Sequence, residues 1–268
     1  MKLVAVVRKP EHSEDAARAL AETAGLTLAE ARMRLAPEAP TLLARLPPEQ
    51  AAALVAALRK AGLAALSVDT SVPTDSDRTV AKRLDLTDAG VTFTPAFGEP
   101  LRMAWTEVLA ILRGVRASRL EVERTEKKKT FSIGSALVTG GLRMTRSTEK
   151  TVRSAEESAE QVVLVYAGDG RVALVPEARF DASCLGPGLH PSSAANIAEV
   201  AHRLRDRAPG AFYDERLLRL GRRPLPFVVS SEFRSAAAAT LVTRTDSRAS
   251  LDVLAEVLRQ AVTAHLLP

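Results

Sequence analysis

The stretch AGLTLAEARMRL, residues 24–35, constrains the fold most, because it holds the end of one helix and the start of the next. Gly25 is the residue type that commonly ends a helix in the left-handed conformation. Thr27, followed three residues later by Glu30, forms the pattern of a capping box at a helix N-terminus. The apolar residues after this cap recur at helical spacing: Leu28, Ala31 and Leu35. The sequence therefore predicts two helices joined by a very short turn.

The segments around this joint complete a small module. Short apolar runs at 3–7, 41–46 and 63–68 are typical of buried strands. A third helix begins at a Pro-Pro pair and ends at Gly62. The order predicted for residues 1–69 is β-α-α-β-α-β, with the helices covering one face of a three-stranded sheet.

The same module carries a resemblance to a known family. Its motifs are a Gly-Leu-x-Leu-x-Glu-Ala-basic run and an Ala-Gly pair before the last strand, matched by Gly25, Leu26, Leu28, Glu30, Ala31, Arg32, Ala61 and Gly62. With this element order, residues 1–69 resemble the C-terminal domain of the bacterial ribosomal stalk protein. That family recruits translation GTPases through basic residues on its first two helices, which implies a binding role for Arg18 and Arg32.

The module departs from the family on the same two helices. Ser13, Ala21 and Ala29 stand where the family usually has further basic residues. Residues 1–70 contain nine Lys or Arg and eight Asp or Glu, so this region is nearly neutral. The alternative is that Arg18 and Arg32 are solvated helix surface without a ligand.

The remainder of the chain predicts a linker and a larger domain. Residues 70–83 are polar and contain proline and small side chains, as linkers do. Residues 84–268 alternate short apolar stretches with turn residues, which indicates antiparallel strands, and they end in amphipathic helices, so the expected class is α+β. The clearest hairpin joins two apolar runs at Gly168-Asp169-Gly170. The strand run resembles a bacterial pleckstrin-homology-like domain, which implies a roll or barrel, although another β-roll or barrel would give the same pattern.

Positive charge is concentrated in residues 113–153, which contain eleven Lys or Arg and four Glu, whereas the whole chain carries a net charge of +5. The Gly-, Ser- and Thr-rich part from 130 to 160 predicts a long hairpin arm or a mobile loop. Such a basic segment can bind an acidic protein or the phosphate groups of lipid or nucleic acid. The candidate contacts are its central cations: Arg124, Lys127, Lys128, Lys129, Arg143 and Arg146. A solvated surface without a ligand is the alternative.

No catalytic motif accompanies these features in the sequence, neither a phosphate-binding loop nor a zinc-protease or nucleophile-elbow pattern. Cys184 lies six residues before His190, but a single cysteine beside a leucine is typical of a buried small residue. The four histidines have no metal-ligand spacing, so no metal or other cofactor is expected. An enzyme would have to assemble its site from scattered acids such as Asp169, Asp181 and Asp214.

These observations lead to one main hypothesis and two alternatives. We expect a non-enzymatic interaction or adaptor protein whose partner is another protein. The first alternative is a phosphate-rich ligand, either an anionic membrane surface or nucleic acid, bound through residues 113–153, and the second is an enzyme of unknown activity. No apolar run approaches the roughly 20 residues of a membrane helix, and no signal peptide is present, so we expect a cytoplasmic location without a transmembrane segment.

Overall fold

The computed structural model describes the backbone of residues 1–8, 14–71, 73–131, 145–220, 225, 227–228, 233–237 and 240–267. In the cation-rich strands, the side chains of residues 124–131 and 145–153 are outside this description. The chain divides into two compact units. Unit 1 comprises residues 1–116, 159–229 and 247–268, and unit 2 comprises residues 117–158 and 230–246.

The described part of the chain contains α-helices, β-strands and short 3-10 helices. The helices are α1 (Glu14–Ala24), α2 (Leu28–Leu35), α3 (Pro48–Lys60), α4 (Ser193–Arg207), α5 (Leu217–Leu220) and α6 (Arg248–Thr263). The strands are β1 (Lys2–Arg8), β2 (Thr41–Leu46), β3 (Ala64–Asp69), β4 (Thr79–Leu86), β5 (Gly90–Pro95), β6 (Leu101–Ala104), β7 (Val108–Phe131), β8 (Thr145–Ala167), β9 (Val172–Pro176), β10 (Phe212–Asp214), β11 (Phe233–Ala237) and β12 (Thr240–Asp246). The protein therefore mixes helices with antiparallel and mixed sheets.

The first sheet lies in unit 1 and has the order β2-β1-β3, with antiparallel pairing on both sides of β1. Its elements follow in the order β1-α1-α2-β2-α3-β3. Side chains of β1 alternate between two cores, because successive strand residues point to opposite faces. Val4 and Val6 pack with α1 and α3, whereas Leu3, Ala5 and Val7 pack with α6. Both faces of this small sheet are therefore buried.

The second sheet has the hydrogen-bonding order β11-β12-β7-β8-β9-β4-β5-β6, with β10 beside β7. The Gly168–Gly170 hairpin predicted from sequence is confirmed, since β8 and β9 pair antiparallel on either side of it. Two pairings are parallel, β4 with β9 and β10 with β7, so the sheet is mixed and not wholly antiparallel as predicted. Among the described strands the sheet does not close into a barrel, because β6 and β11 form its two ends.

The segment expected to be a linker, residues 70–83, contains regular structure. A 3-10 helix spans Asp75–Asp77, and β4 already begins at Thr79. Arg78, between them, is buried and donates from its guanidinium to the backbone carbonyls of Thr74 and Pro73. Its packing anchors the segment, and the boundary expected at 69–84 does not separate the compact units, since unit 1 runs through it.

Candidate functional site

The two arginines suggested by the stalk-protein resemblance lie on α1 and α2 and are exposed. Arg32 forms an ion pair with Glu14, and this bond holds the pKa of the Glu14 carboxyl below its ordinary value. Arg18 lies 3.6 Å from the carboxylate of Asp15. Each arginine thus has an acidic neighbour, which lowers the charge that either one presents to a partner.

The beginning of the basic segment is used inside the protein. Arg113 donates to the Glu215 carboxylate at 3.0 Å and to the Gln161 side-chain oxygen at 2.7 Å. Arg119 forms an exposed ion pair with Glu121. Arg116, the third cation of this stretch, is buried. Arg113 and Arg116 are therefore engaged within unit 1, whereas Arg119 stays at the surface.

The central cations of the segment belong to unit 2. Arg124, Lys127, Lys128 and Lys129 lie in β7, and Arg146 lies in β8; their side chains are outside the described residues, and Arg143 lies outside them altogether. β7 and β8 are neighbours in the hydrogen-bonding order of the sheet. The fold therefore places two cation-rich stretches, separated in sequence, on adjacent strands.

An ion cluster in unit 1 joins the buried side chains of Arg78, Arg116 and Asp252 with Asp75, which is partly exposed. Arg116 binds the Asp75 carboxylate with two hydrogen bonds, of 2.9 and 2.6 Å. Asp252 Oδ1 lies 2.9 Å from Arg78 Nη2 and 3.5 Å from Arg116 Nη2, within ion-pair distance, but it makes no hydrogen bond of good geometry among the described residues. The cluster fixes the 3-10 helix, β4, β7 and α6 against one another.

The pKa values of the two aspartates of this cluster are shifted in opposite directions. For Asp75, burial raises the pKa, but the hydrogen bonds and charge of Arg116, with the charge of Arg78, outweigh burial and leave the pKa below its ordinary value. For Asp252, burial dominates over both arginines, so its pKa lies above the ordinary value. Ionised Asp75 therefore stabilises the fold above the pKa of an unfolded aspartate and ceases to do so as the pH falls, whereas ionisation of Asp252 disfavours the fold.

A cavity of about 720 Å³ opens beside this cluster, within unit 1. Three segments converge there because β4 pairs with both β5 and β9. Its buried and half-buried lining comprises Asp75, Arg78, residues 79–81 and Pro95, which form the inner wall, and its exposed rim comprises Lys82, Ala96, Phe97, Glu99 and Arg179. We call it the Phe97 cavity. The sequence did not indicate it, because its lining residues come from distant segments and Phe97 sits in an ordinary turn sequence.

The acids and the cysteine considered for catalysis do not form a reactive group. Asp169, Asp181 and Asp214 are each paired with an arginine, and burial raises the pKa of the Cys184 thiol, which disfavours the nucleophilic thiolate. Among the residues that the structure describes, no three His, Cys, Asp or Glu side chains are grouped so that they could hold a metal ion.

Comparison of this chain with protein-family models, with curated proteins and with solved structures gave no match. The likenesses to the ribosomal stalk domain and to a pleckstrin-homology-like domain remain predictions. None of the described helices combines the length and apolar character that a membrane span requires. The site must therefore be interpreted from its own geometry.

Proposed function

We propose that this protein is a non-enzymatic interaction protein that binds an acidic partner protein through the cation-rich parts of β7 and β8. The observation that carries the proposal is the adjacency of these two strands in the sheet. Residues 124–153 contain eight Lys or Arg and two Glu, and β7 and β8 bring most of these cations onto neighbouring strands. Such a density of one charge raises the association rate with a partner of opposite charge.

A partner protein is favoured over nucleic acid because aromatic residues are scarce in the cation-rich segment. Single-stranded nucleic acid is commonly held by bases stacked on aromatic side chains, and Phe131 is the one aromatic residue in the sequence from 124 to 153. The phosphate-rich ligand, a membrane surface or a nucleic acid, is the second candidate, since the same cations suit phosphate groups. Added salt weakens binding to a phosphate-rich ligand more steeply than binding to an acidic protein, because phosphate contacts release condensed counterions.

Two further interpretations belong to this proposal. We interpret residues 1–69 as a stalk-like docking module, supported by the element order β1-α1-α2-β2-α3-β3 and by the capping box of α2. We interpret the strand-rich remainder as a pleckstrin-homology-like roll, supported by its order of mainly antiparallel strands followed by α6. The cytoplasm is the compartment that we propose for such an interaction.

The test is a triple charge reversal, Lys127→Glu, Lys128→Glu and Lys129→Glu, in the full-length chain. Binding is measured to poly-glutamate, to duplex DNA and to phosphatidylserine vesicles over a range of salt concentrations. We expect the triple variant to bind poly-glutamate about tenfold or more weakly, with unchanged thermal unfolding. Tighter binding to DNA or vesicles than to poly-glutamate, with a steep salt dependence, would select the phosphate-rich ligand.

A matched control reverses three exposed cations of unit 1, Arg45→Glu, Lys60→Glu and Arg102→Glu. It changes the net charge by the same amount but leaves β7 and β8 untouched. If this control weakens binding as much as the Lys127–Lys129 variant does, the effect comes from net charge alone and the proposed surface is wrong. Undiminished binding by the folded Lys127–Lys129 variant contradicts the proposal directly.

A further inference from the structure

The Phe97 cavity combines three features of a small-molecule site. Its volume of about 720 Å³ falls within the range of roughly 300–1,000 Å³ that such sites occupy. Apolar groups from Val80, Ala81 and Pro95 line its interior, and charged groups stand at its edge. The cavity lies in unit 1, so the residues that form it do not include the cations on β7 and β8.

The inner wall of the cavity is held rigidly in place. Thr74 and Asp77 form a capping box around the 3-10 helix, with the Thr74 backbone N–H donating to the Asp77 carboxylate at 2.8 Å. Asp75 is fixed by Arg116, and Arg78 by two backbone carbonyls and Asp252. The ionic groups of this wall therefore already have their partners and are not the groups that attract a ligand's charge.

The rim, in contrast, presents two cations that the protein itself does not use. The side chains of Lys82 and Arg179 are exposed and form no ion pair or hydrogen bond with any residue that the structure describes. Glu99 is the one acid on the rim. Two cations against a single acid favour an anionic group at the mouth of the cavity.

Phe97 supplies an aromatic face on the same rim. Its side chain is 94% exposed, the highest value among the large apolar residues of the described chain. It sits in the turn between β5 and β6, where Gly98 has φ of +96° and so allows a tight reversal that other residues rarely adopt. A ring held away from the core in this way gains by covering its face with another flat group.

We propose that the Phe97 cavity binds a small organic anion with an aromatic ring, the ring stacking on Phe97 and the anionic group contacting Lys82 and Arg179. An aromatic compound without charge leaves both cations unsatisfied, and a simple inorganic anion leaves Phe97 exposed to water. The ligand class is thus a flat ring joined to a phosphate, sulfonate or carboxylate. The rigid inner wall limits its size to what the cavity holds.

The probe for this site is 1-naphthyl phosphate, titrated into the full-length protein by calorimetry. The comparison ligands are 1-naphthol, which keeps the ring, and inorganic phosphate, which keeps the anion. We expect saturable binding of 1-naphthyl phosphate, with each comparison ligand at least about tenfold weaker because each offers one of the two contacts. Absence of saturable binding, or equal affinity for either comparison ligand, overturns the proposal.

Two variants assign the contacts. Phe97→Ala and the double variant Lys82→Ala with Arg179→Ala are each expected to lower the affinity for 1-naphthyl phosphate about tenfold, since single stacking and charge contacts have that order of effect. Phe97→Tyr keeps the ring and is expected to retain the affinity. All these side chains are exposed, so thermal unfolding should not change.

The controls are exposed residues of unit 1 away from the cavity. Met33→Ala removes another exposed apolar side chain, and Arg45→Ala with Lys60→Ala removes two cations. Loss of binding in these controls as large as in the cavity variants would show that the probe binds nonspecifically. If 1-naphthyl phosphate does not bind but Phe97→Ala weakens binding to phosphatidylserine vesicles, the exposed ring inserts into a lipid surface and the small-molecule site is refuted.

Discussion

Arg116 and Arg83 carry the same guanidinium group in two different environments. The side chain of Arg116 is 4% exposed and that of Arg83 is 66% exposed, and each is paired with an aspartate. Water screens the Arg83–Asp181 pair, so it contributes little to stability. In the ion cluster, removal of one partner leaves an uncompensated charge in a poorly solvated place, which is costly.

This difference predicts the stability of two otherwise matched variants. Arg116→Met is expected to lower the free energy of unfolding by about 3–5 kcal/mol, because Asp75 loses both hydrogen bonds from Arg116 and the buried Asp252 loses one of its two arginines. Arg83→Met is expected to lower it by about 0–1 kcal/mol. Urea unfolding of both variants beside the natural protein measures the two values. Equal effects would mean that the ion cluster does not hold the segment from Asp75 to Arg78 in place.

At the scale of single elements, the cap of α2 was predictable and is confirmed. The Thr27 hydroxyl accepts from the Glu30 backbone N–H at 3.2 Å, and the Glu30 carboxylate accepts from the Thr27 backbone N–H at 2.8 Å. The N-cap residue of α4 is Ser192, which makes no side-chain cap bond, and the hydroxyl of the next residue, Ser193, donates to the Glu177 carboxylate. Residues close in sequence determine a capping box, whereas the Ser193 hydroxyl is bound by Glu177, a residue distant in sequence.

The two N-caps give a matched pair of variants. Thr27→Ala is expected to destabilise the protein by about 1 kcal/mol, since it removes a hydroxyl that satisfies a helix N–H. Ser192→Ala should have almost no effect, because this hydroxyl makes no cap bond. Thermal and urea unfolding of both variants measures the difference. A loss of similar size in Ser192→Ala would show that N-cap position matters here and the hydrogen bond does not.

The start of β7 shows why other elements escaped prediction. In the sequence, Val108, Ile111 and Leu112 have the spacing of one face of an amphipathic helix. In the structure these residues begin a strand buried on both sides, with Ile111 in one core and Ala110 and Leu112 in the other. A strand covered on both faces has no alternation, so periodicity alone cannot distinguish it from a buried helix.

At the scale of the whole molecule, the first sheet does not have a core of its own on both faces. One face packs with α1 and α3, as the sequence predicted, and the other packs with α6 from the end of the chain. The uninterrupted apolar run Leu3–Val7 was the available signal, because a strand with one solvated face alternates apolar and polar residues. Pattern analysis cannot name the distant helix that covers such a face. The Phe97 cavity was unpredictable for the same reason.

This shared core predicts that a fragment of residues 1–70 does not fold on its own. Without α6, the fragment exposes the apolar face formed by Leu3, Val7, Leu42, Leu66 and Val68. Exposure of these five side chains costs roughly 7–15 kcal/mol, which is as large as the whole stability of a typical domain. Circular dichroism and heteronuclear NMR of the fragment should show an unfolded or aggregated chain. Two substitutions on this face, Leu66→Gln and Val68→Thr, should reduce aggregation of the fragment yet destabilise the full-length protein. A fragment of natural sequence that is monomeric and unfolds cooperatively would contradict the role assigned to α6.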